Sequence, residues 1–122
     1  MARKVENDNV MGLRVGDILS SCWGYEAEIY DFYEVVGVSK TMVRLRELRK
    51  MAFEGSKFPM YYGHMVAPLM EGEYRFTEGK AFSRKPFNFS SDMNPRRTGV
   101  AINSYEYAYP WDGRPCDEYN AH

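Results

Sequence analysis

The run Asp31-Phe32-Tyr33-Glu34-Val35-Val36-Gly37-Val38 has the residue types of a β-strand and too little length for a helix. β-Branched and aromatic side chains lose rotamer freedom against a preceding helical turn but sit well on a pleated surface. Ser39-Lys40-Thr41 then reads as a turn. The chain carries such residues throughout, with ten Tyr, seven Phe and two Trp. Val15-Gly16-Asp17-Ile18-Leu19 reads as a turn feeding a strand towards Trp23. Met65 to Met70 is a short apolar strand in which Pro68 suggests an edge or a bulge. Tyr74 to Thr77 and Lys80 to Ser83 read as a hairpin with Glu78-Gly79 at its tip. Gly99 to Ile102 starts a last strand.

One segment supports two periods. In Met42 to Leu48, Val43 and Leu45 alternate with Arg44 and Arg46, as in a strand, while Met42, Leu45, Leu48 and Ala52 fit a helical stripe. The short preceding turn favours a hairpin with the Asp31 to Val38 strand. Residues 51–64 and 84–98, rich in Gly, Pro and polar groups, read as long loops. These readings predict a mainly β fold: a small SH3-like, partly open barrel of about five to seven antiparallel strands with long loops. The 122 residues fit one domain. Its expected bounds are 13–115, between a flexible segment at 1–12 and a tail at 116–122.

A formal net charge of −1 argues against both a generic polycation and a carboxylate-coated mimic of nucleic acid. No apolar h-region follows Met1, and no run reaches the length of a membrane span, so neither a signal peptide nor a membrane location is expected. Cys22 and Cys116 are read as free thiols in a reducing cytoplasm. The spacing of Cys22, His64, Cys116 and His122 fits no zinc motif, and the chain lacks phosphate-cradling and dinucleotide fingerprints. No metal or cofactor is expected. His64 is the only internal histidine that could act as a base, and Tyr61-Tyr62-Gly63-His64 reads as a structural loop, so no enzyme is expected. The acidic run Glu26, Glu28, Asp31 and Glu34 reads as a solvated face before it reads as a cation site.

Two patterns point to binding. Charge is segregated: Arg44, Arg46 and Arg49 in one stretch, and Arg84, Arg96 and Arg97 in another, could line phosphates. Tyr105, Tyr107, Tyr109 and Trp111 are spaced by two, so an extended segment shows all four on one face. Packed inwards, which is the expected reading, they would close the barrel. Turned outwards, they would form a platform for bases or a partner's apolar patch.

Three stretches carry a resemblance: Gly16-Asp17-Ile18-Leu19-Ser20-Ser21-Cys22-Trp23-Gly24-Tyr25, Asp31-Phe32-Tyr33-Glu34-Val35-Val36, and Tyr107-Ala108-Tyr109-Pro110-Trp111-Asp112-Gly113-Arg114-Pro115. Together they resemble a family of short uncharacterised proteins of bacteriophages and other mobile elements. The loop from Glu26 to Tyr30 is more acidic here than in that pattern. The resemblance implies a phage or mobile-element setting and lends no catalytic residues. The resulting expectation is a non-enzymatic protein that occupies a surface of a host or phage protein, such as an inhibitor of a bacterial defence system of the anti-CRISPR kind. Its expected anchors are Trp23, Tyr25, Tyr61, Tyr62, Tyr107 and Trp111. The alternative is a nucleic-acid-binding barrel that uses Arg44, Arg46, Arg49, Arg84, Arg96 and Arg97.

Overall fold

The computed structural model describes residues 9–24, 27–57, 63–89 and 97–120. It is mainly β, and the strands pair antiparallel throughout. Strand β1 (Asn9–Val10) and β2 (Leu13–Arg14) form a small separate hairpin. The others are β3 (Ile18–Trp23), β4 (Ala27–Val38), β5 (Val43–Leu48), β6 (Lys50–Phe53), β7 (His64–Pro68), β8 (Phe82–Arg84), β9 (Phe87–Phe89), β10 (Arg97–Ala101), β11 (Tyr107–Pro110) and β12 (Cys116–Asn120). They form one open sheet in the order β6-β7-β12-β4-β3-β11-β10-β9, with β5 on β4 and β8 on β5. Among the described residues the sheet does not close into a barrel.

The strongest strand signal becomes the longest strand, and β4 organises the fold. One of its edges pairs with β3 from Ile29 to Glu34. Its other edge is shared: β12 takes Ala27 and Glu28, and β5 takes Phe32 to Val38. The ladder therefore forks at Tyr30. There the main chain is satisfied by side chains instead of a strand. The Tyr30 N–H donates to Glu118 Oε2 at 3.0 Å, and Lys50 Nζ donates to the Tyr30 carbonyl at 2.5 Å. Lys50 also bonds Glu118 Oε2 at 2.5 Å, so one ion pair plugs both valences of the gap.

Alternation along β4 makes two cores on opposite faces of the sheet. Tyr33 and Val35 join Leu19, Val43, Leu45, Val100 and Ala108 in the first core, which Val10 and Leu13 of the hairpin help cover. Phe32 joins Leu48 and Val66 in the second, with Tyr30, Phe76 and Trp111 packed against it. A bulge between Val35 and Gly37 shifts the β4–β5 register and bends the strand.

The hairpin of β4 and β5 forms as the alternation predicts, and Met42 to Leu48 is not helical. Other boundaries are corrected. Val10 and Leu13 are buried at either side of a turn in which Met11 and Gly12 both have positive φ, so the segment expected to be flexible is structured from Asn9. The expected C-terminal tail is β12, held by the buried Glu118. Both expected loops contain strands, β6 in the first and β9 with the start of β10 in the second. The second expected hairpin does not form. Glu73–Arg75 is a 3-10 turn entered at Gly72 (φ 93°), and β8 pairs with β5 instead. The described residues thus form twelve strands, most of them short, where five to seven were expected.

Candidate docking groove

The ladder divides: Tyr105 and Tyr107 are exposed, against the expectation of core packing, while Tyr109 is half-buried and Trp111 packs against the second core. Ala108 is the buried residue of β11 and lies opposite Ser21, which turns its neighbours Tyr107 and Tyr109 to the other face with Ser20. Ser20 lies opposite Phe32, and Cys22 lies opposite Tyr30. The registers of β11 on β3 and of β3 on β4 therefore bring Tyr107, Tyr109, Ser20, Cys22 and Tyr30 to one face. Two shallow hollows follow. The first, about 290 Å³, lies among Ser20, Cys22, Tyr30, Tyr105, Tyr107 and Tyr109. The second, about 330 Å³, continues from Ser20 and Tyr30 to Trp111, Asp112, Arg114 and Cys116.

The rings are held in place. Tyr107 is 45% exposed and meets the edge of Phe87 at 6.2 Å. Tyr105 is 65% exposed and sits 6.0 Å from Trp23, again edge to face. Trp23 is fixed in turn by a hydrogen bond from its Nε1 to Asp31 Oδ2 at 2.7 Å. Trp111 packs edge-on against the buried Phe32 at 5.8 Å and donates its Nε1 to the Arg114 carbonyl at 2.8 Å. Rings fixed in this way lose little conformational entropy when a partner arrives.

The turn that presents Tyr105 is anchored from below. Glu106 is only 5% exposed, and its Oε2 accepts hydrogen bonds from Ser21 Oγ and, at 2.7 Å, from the Tyr33 hydroxyl. Its carbonyl accepts the Ile102 and Asn103 N–H groups, and Asn103 Oδ1 accepts the Tyr105 N–H at 3.1 Å. Burial and then the bond to Glu106 hold the Tyr33 phenol far above its usual pKa, so it stays a donor.

Gly99 supports the ladder from β10. A Cβ there would lie 2.6 Å from Tyr109 Cε1 and 3.1 Å from Phe87 Cζ, so the Tyr109 ring covers bare backbone. Gly99→Ala forces that ring off its seat. The expected loss is about 1–3 kcal/mol in denaturant unfolding, with the Tyr109 ring resonances displaced.

Two thiols and one phenol of the groove are held protonated. Burial raises the Cys22 thiol, and the charges of Glu28 and Glu118 add to that, outweighing its hydrogen bond with Tyr30. Cys116 is pushed up to about 11 by burial, then by Asp112, Cys22 and Glu118. The Tyr30 phenol is also raised, by burial first and then by Cys22 and Glu28. Thiols held protonated are poor nucleophiles. Among the described residues no group of three His, Cys, Asp or Glu side chains is placed to hold a metal ion. His64 is bonded to Glu118 Oε1 at 2.9 Å and sits at the fork, away from both hollows.

Of the residues singled out in the sequence, Tyr107 lines the first hollow and Trp111 the second, while Trp23 lines neither and reaches the groove only through its contact with Tyr105. Tyr25, Tyr61 and Tyr62 lie outside the described residues. The described arginines of the alternative set do not all share one face. Arg84 lies opposite Val43, on the other face from Arg44, and its guanidinium binds the carbonyls of Ile102 (3.0 Å) and Ser83 (2.8 Å). Arg46 stacks on Phe76 at 4.6 Å, a ring it shares with Arg75 at 4.3 Å. Arg44 and Arg49 are exposed. Arg96 and the Arg97 side chain lie outside the described residues. Tyr30 was missed by the sequence reading. Only the strand registers reveal that it shares a face with β11.

No family model matches the chain, and neither a curated protein nor a solved structure is significantly similar to it. Among the described residues no helix is long and apolar enough to cross a membrane.

Proposed function

We propose that the chain is a non-enzymatic binding protein that acts by occupying a surface of a partner protein through the tyrosine groove. The observation that carries this is the outward part of the ladder, with Tyr105 and Tyr107 exposed beside the fixed rings of Trp23 and Trp111. Tyr and Trp dominate interface hot spots because they bury large area at low entropic loss. The scaffold, in this reading, is a partly open SH3-like curl in which β3, β4 and β5 form the meander and the bulge at Val35 supplies the bend. In the phage or mobile-element setting that the resemblance implies, the partner is a host or phage protein met in the cytoplasm. Inhibition of a bacterial defence system, in the manner of an anti-CRISPR protein, is the role that such an occupying surface suits best.

The arginine-based reading is weaker, because Arg46 and Arg84 are engaged within the fold. The test uses a partner co-purified from the native host and then produced alone. Tyr105→Ala/Tyr107→Ala is expected to weaken its binding about thirtyfold or more, as hot-spot truncations of about 2 kcal/mol do. Arg44→Ala/Arg49→Ala is expected to leave it unchanged. The opposite pattern, with a steep salt-dependent shift of a nucleic-acid probe, would transfer the function to the arginines.

A further inference from the structure

The groove is aromatic and also negative. Glu28 lies on the same face as Tyr30 by the alternation of β4, and its charge bears on both Tyr30 and Cys22. Asp112 and Asp117 border the second hollow. Arg114 is the cation lining it, and its Nε stands 3.5 Å from Asp112 Oδ2. Asp117 accepts hydrogen bonds from Ser56 Oγ and the Lys57 N–H, which leave its charge in place. Three carboxylates thus surround the two hollows against one guanidinium. Apart from that guanidinium and the carboxylates of Asp112 and Asp117, the lining residues offer a ring, a hydroxyl, a thiol or a proline.

A negative surface repels phosphates and acidic segments. It attracts a guanidinium or ammonium, and the faces of Tyr and Trp bind such cations further through the ring quadrupole. The hollows adjoin through Ser20 and Tyr30 and run across the strands of a sheet. An extended peptide places alternate side chains on one side, about 7 Å apart. Such a peptide can seat consecutive same-side residues in the two hollows.

We infer that the groove recognises an extended, arginine- or lysine-bearing segment of the partner protein, with the cationic side chain against the tyrosine rings and the carboxylates at the rim. This rests on the docking reading above and names the chemistry of its ligand.

The test is panning of a random twelve-residue peptide display library on the full chain, with counter-selection on Tyr105→Ala/Tyr107→Ala. Circular dichroism first establishes that this variant is folded. The expected result is a set of groove-dependent peptides enriched in Arg and Lys. Their affinity should fall about tenfold as salt rises from about 50 to about 500 mM, because the contacts are exposed charges. It should fall about threefold in Glu28→Gln/Asp112→Asn. Groove-dependent peptides that are neutral or acidic would overturn the inference and leave the docking reading intact. A set that ignores Tyr105 and Tyr107, or no enrichment at all, would overturn both. Self-association of the chain through the same tyrosines would overturn the inference by making a second copy the occupant.

Discussion

Glu118→Leu is expected to destabilise the fold by about 3–5 kcal/mol, the range for breaking one side of a buried ion pair. Glu118 is 6% exposed and answers three groups at once: the Tyr30 N–H, Lys50 Nζ and His64 Nε2. Removing it leaves the Lys50 ammonium with only Asp31 and the Tyr30 carbonyl, and leaves a β4 N–H without its acceptor at the fork. Global stabilities are about 5–15 kcal/mol, so this one change approaches the whole margin. Lys50→Met should be milder, since the N–H and His64 still face the carboxylate. The double variant Lys50→Met/Glu118→Leu should lose less than the sum, by about 1–3 kcal/mol, because the two act as one plug. Urea unfolding of all four proteins at neutral pH reads this directly. Additive losses would mean that the fork is held by other contacts.

The same plug makes an acid-sensitive joint. Burial alone would raise the Glu118 carboxyl, but the Lys50 hydrogen bond and charge, the Tyr30 N–H and the His64 bond together hold it below its ordinary value of 4.5. The unfolded chain therefore takes up this proton at a higher pH than the folded chain does. The stabilisation is complete above 4.5 and is lost as pH falls from there through the folded value. Glu47 runs the other way: burial, and the charges of Asp31 and Glu106, raise it, so its folded form keeps a proton that the unfolded form releases above 4.5. The two partly offset each other in the wild-type curve. The contrast between wild type and Glu118→Leu isolates the joint, and the variant should have the shallower acid limb.

How much of this could be read from residues alone depends on what held each strand. β4 and β5 were legible because their alternating side chains are buried on one face or both, and burial writes a period into the sequence. β6 was not, since Met51, Ala52 and Phe53 are exposed and the strand is held by its backbone ladder to β7. Hydrogen-bonded edges of that kind leave no hydrophobic signature. β12 reads as a polar tail because its key residue is a carboxylate, whose burial makes sense only once Lys50 and Tyr30 are seen beside it. The spacing of the ladder was legible and its direction was not. Large aromatics normally face inwards, but here the small Ala108 takes the core position and turns the tyrosines out. The groove needed two registers at once, which periodicity within a single segment cannot supply.

Phe32→Ala should produce the second large loss, about 3–5 kcal/mol, because it opens a cavity in the second core beside Leu48 and Val66. Phe32 is fully buried, and its ring supports the edge of Trp111 at 5.8 Å. That contact ties binding to folding. The wall of the second core is also the bed of the groove, so the mutation should loosen Trp111 as well as the core. Phe32→Leu separates the two effects. It keeps most of the buried volume, and the expected loss is smaller, about 1–1.5 kcal/mol, so the chain stays folded. Trp111 nonetheless loses its edge-to-face partner, and its indole resonance and fluorescence should shift while those of Trp23, held by Asp31, stay in place. If Trp111 anchors the partner in a fixed pose, the Leu variant binds more weakly than its small stability loss accounts for. If binding is unchanged while Trp111 moves, the anchors lie at the Tyr105 and Tyr107 end, and the indole serves only to close the second core.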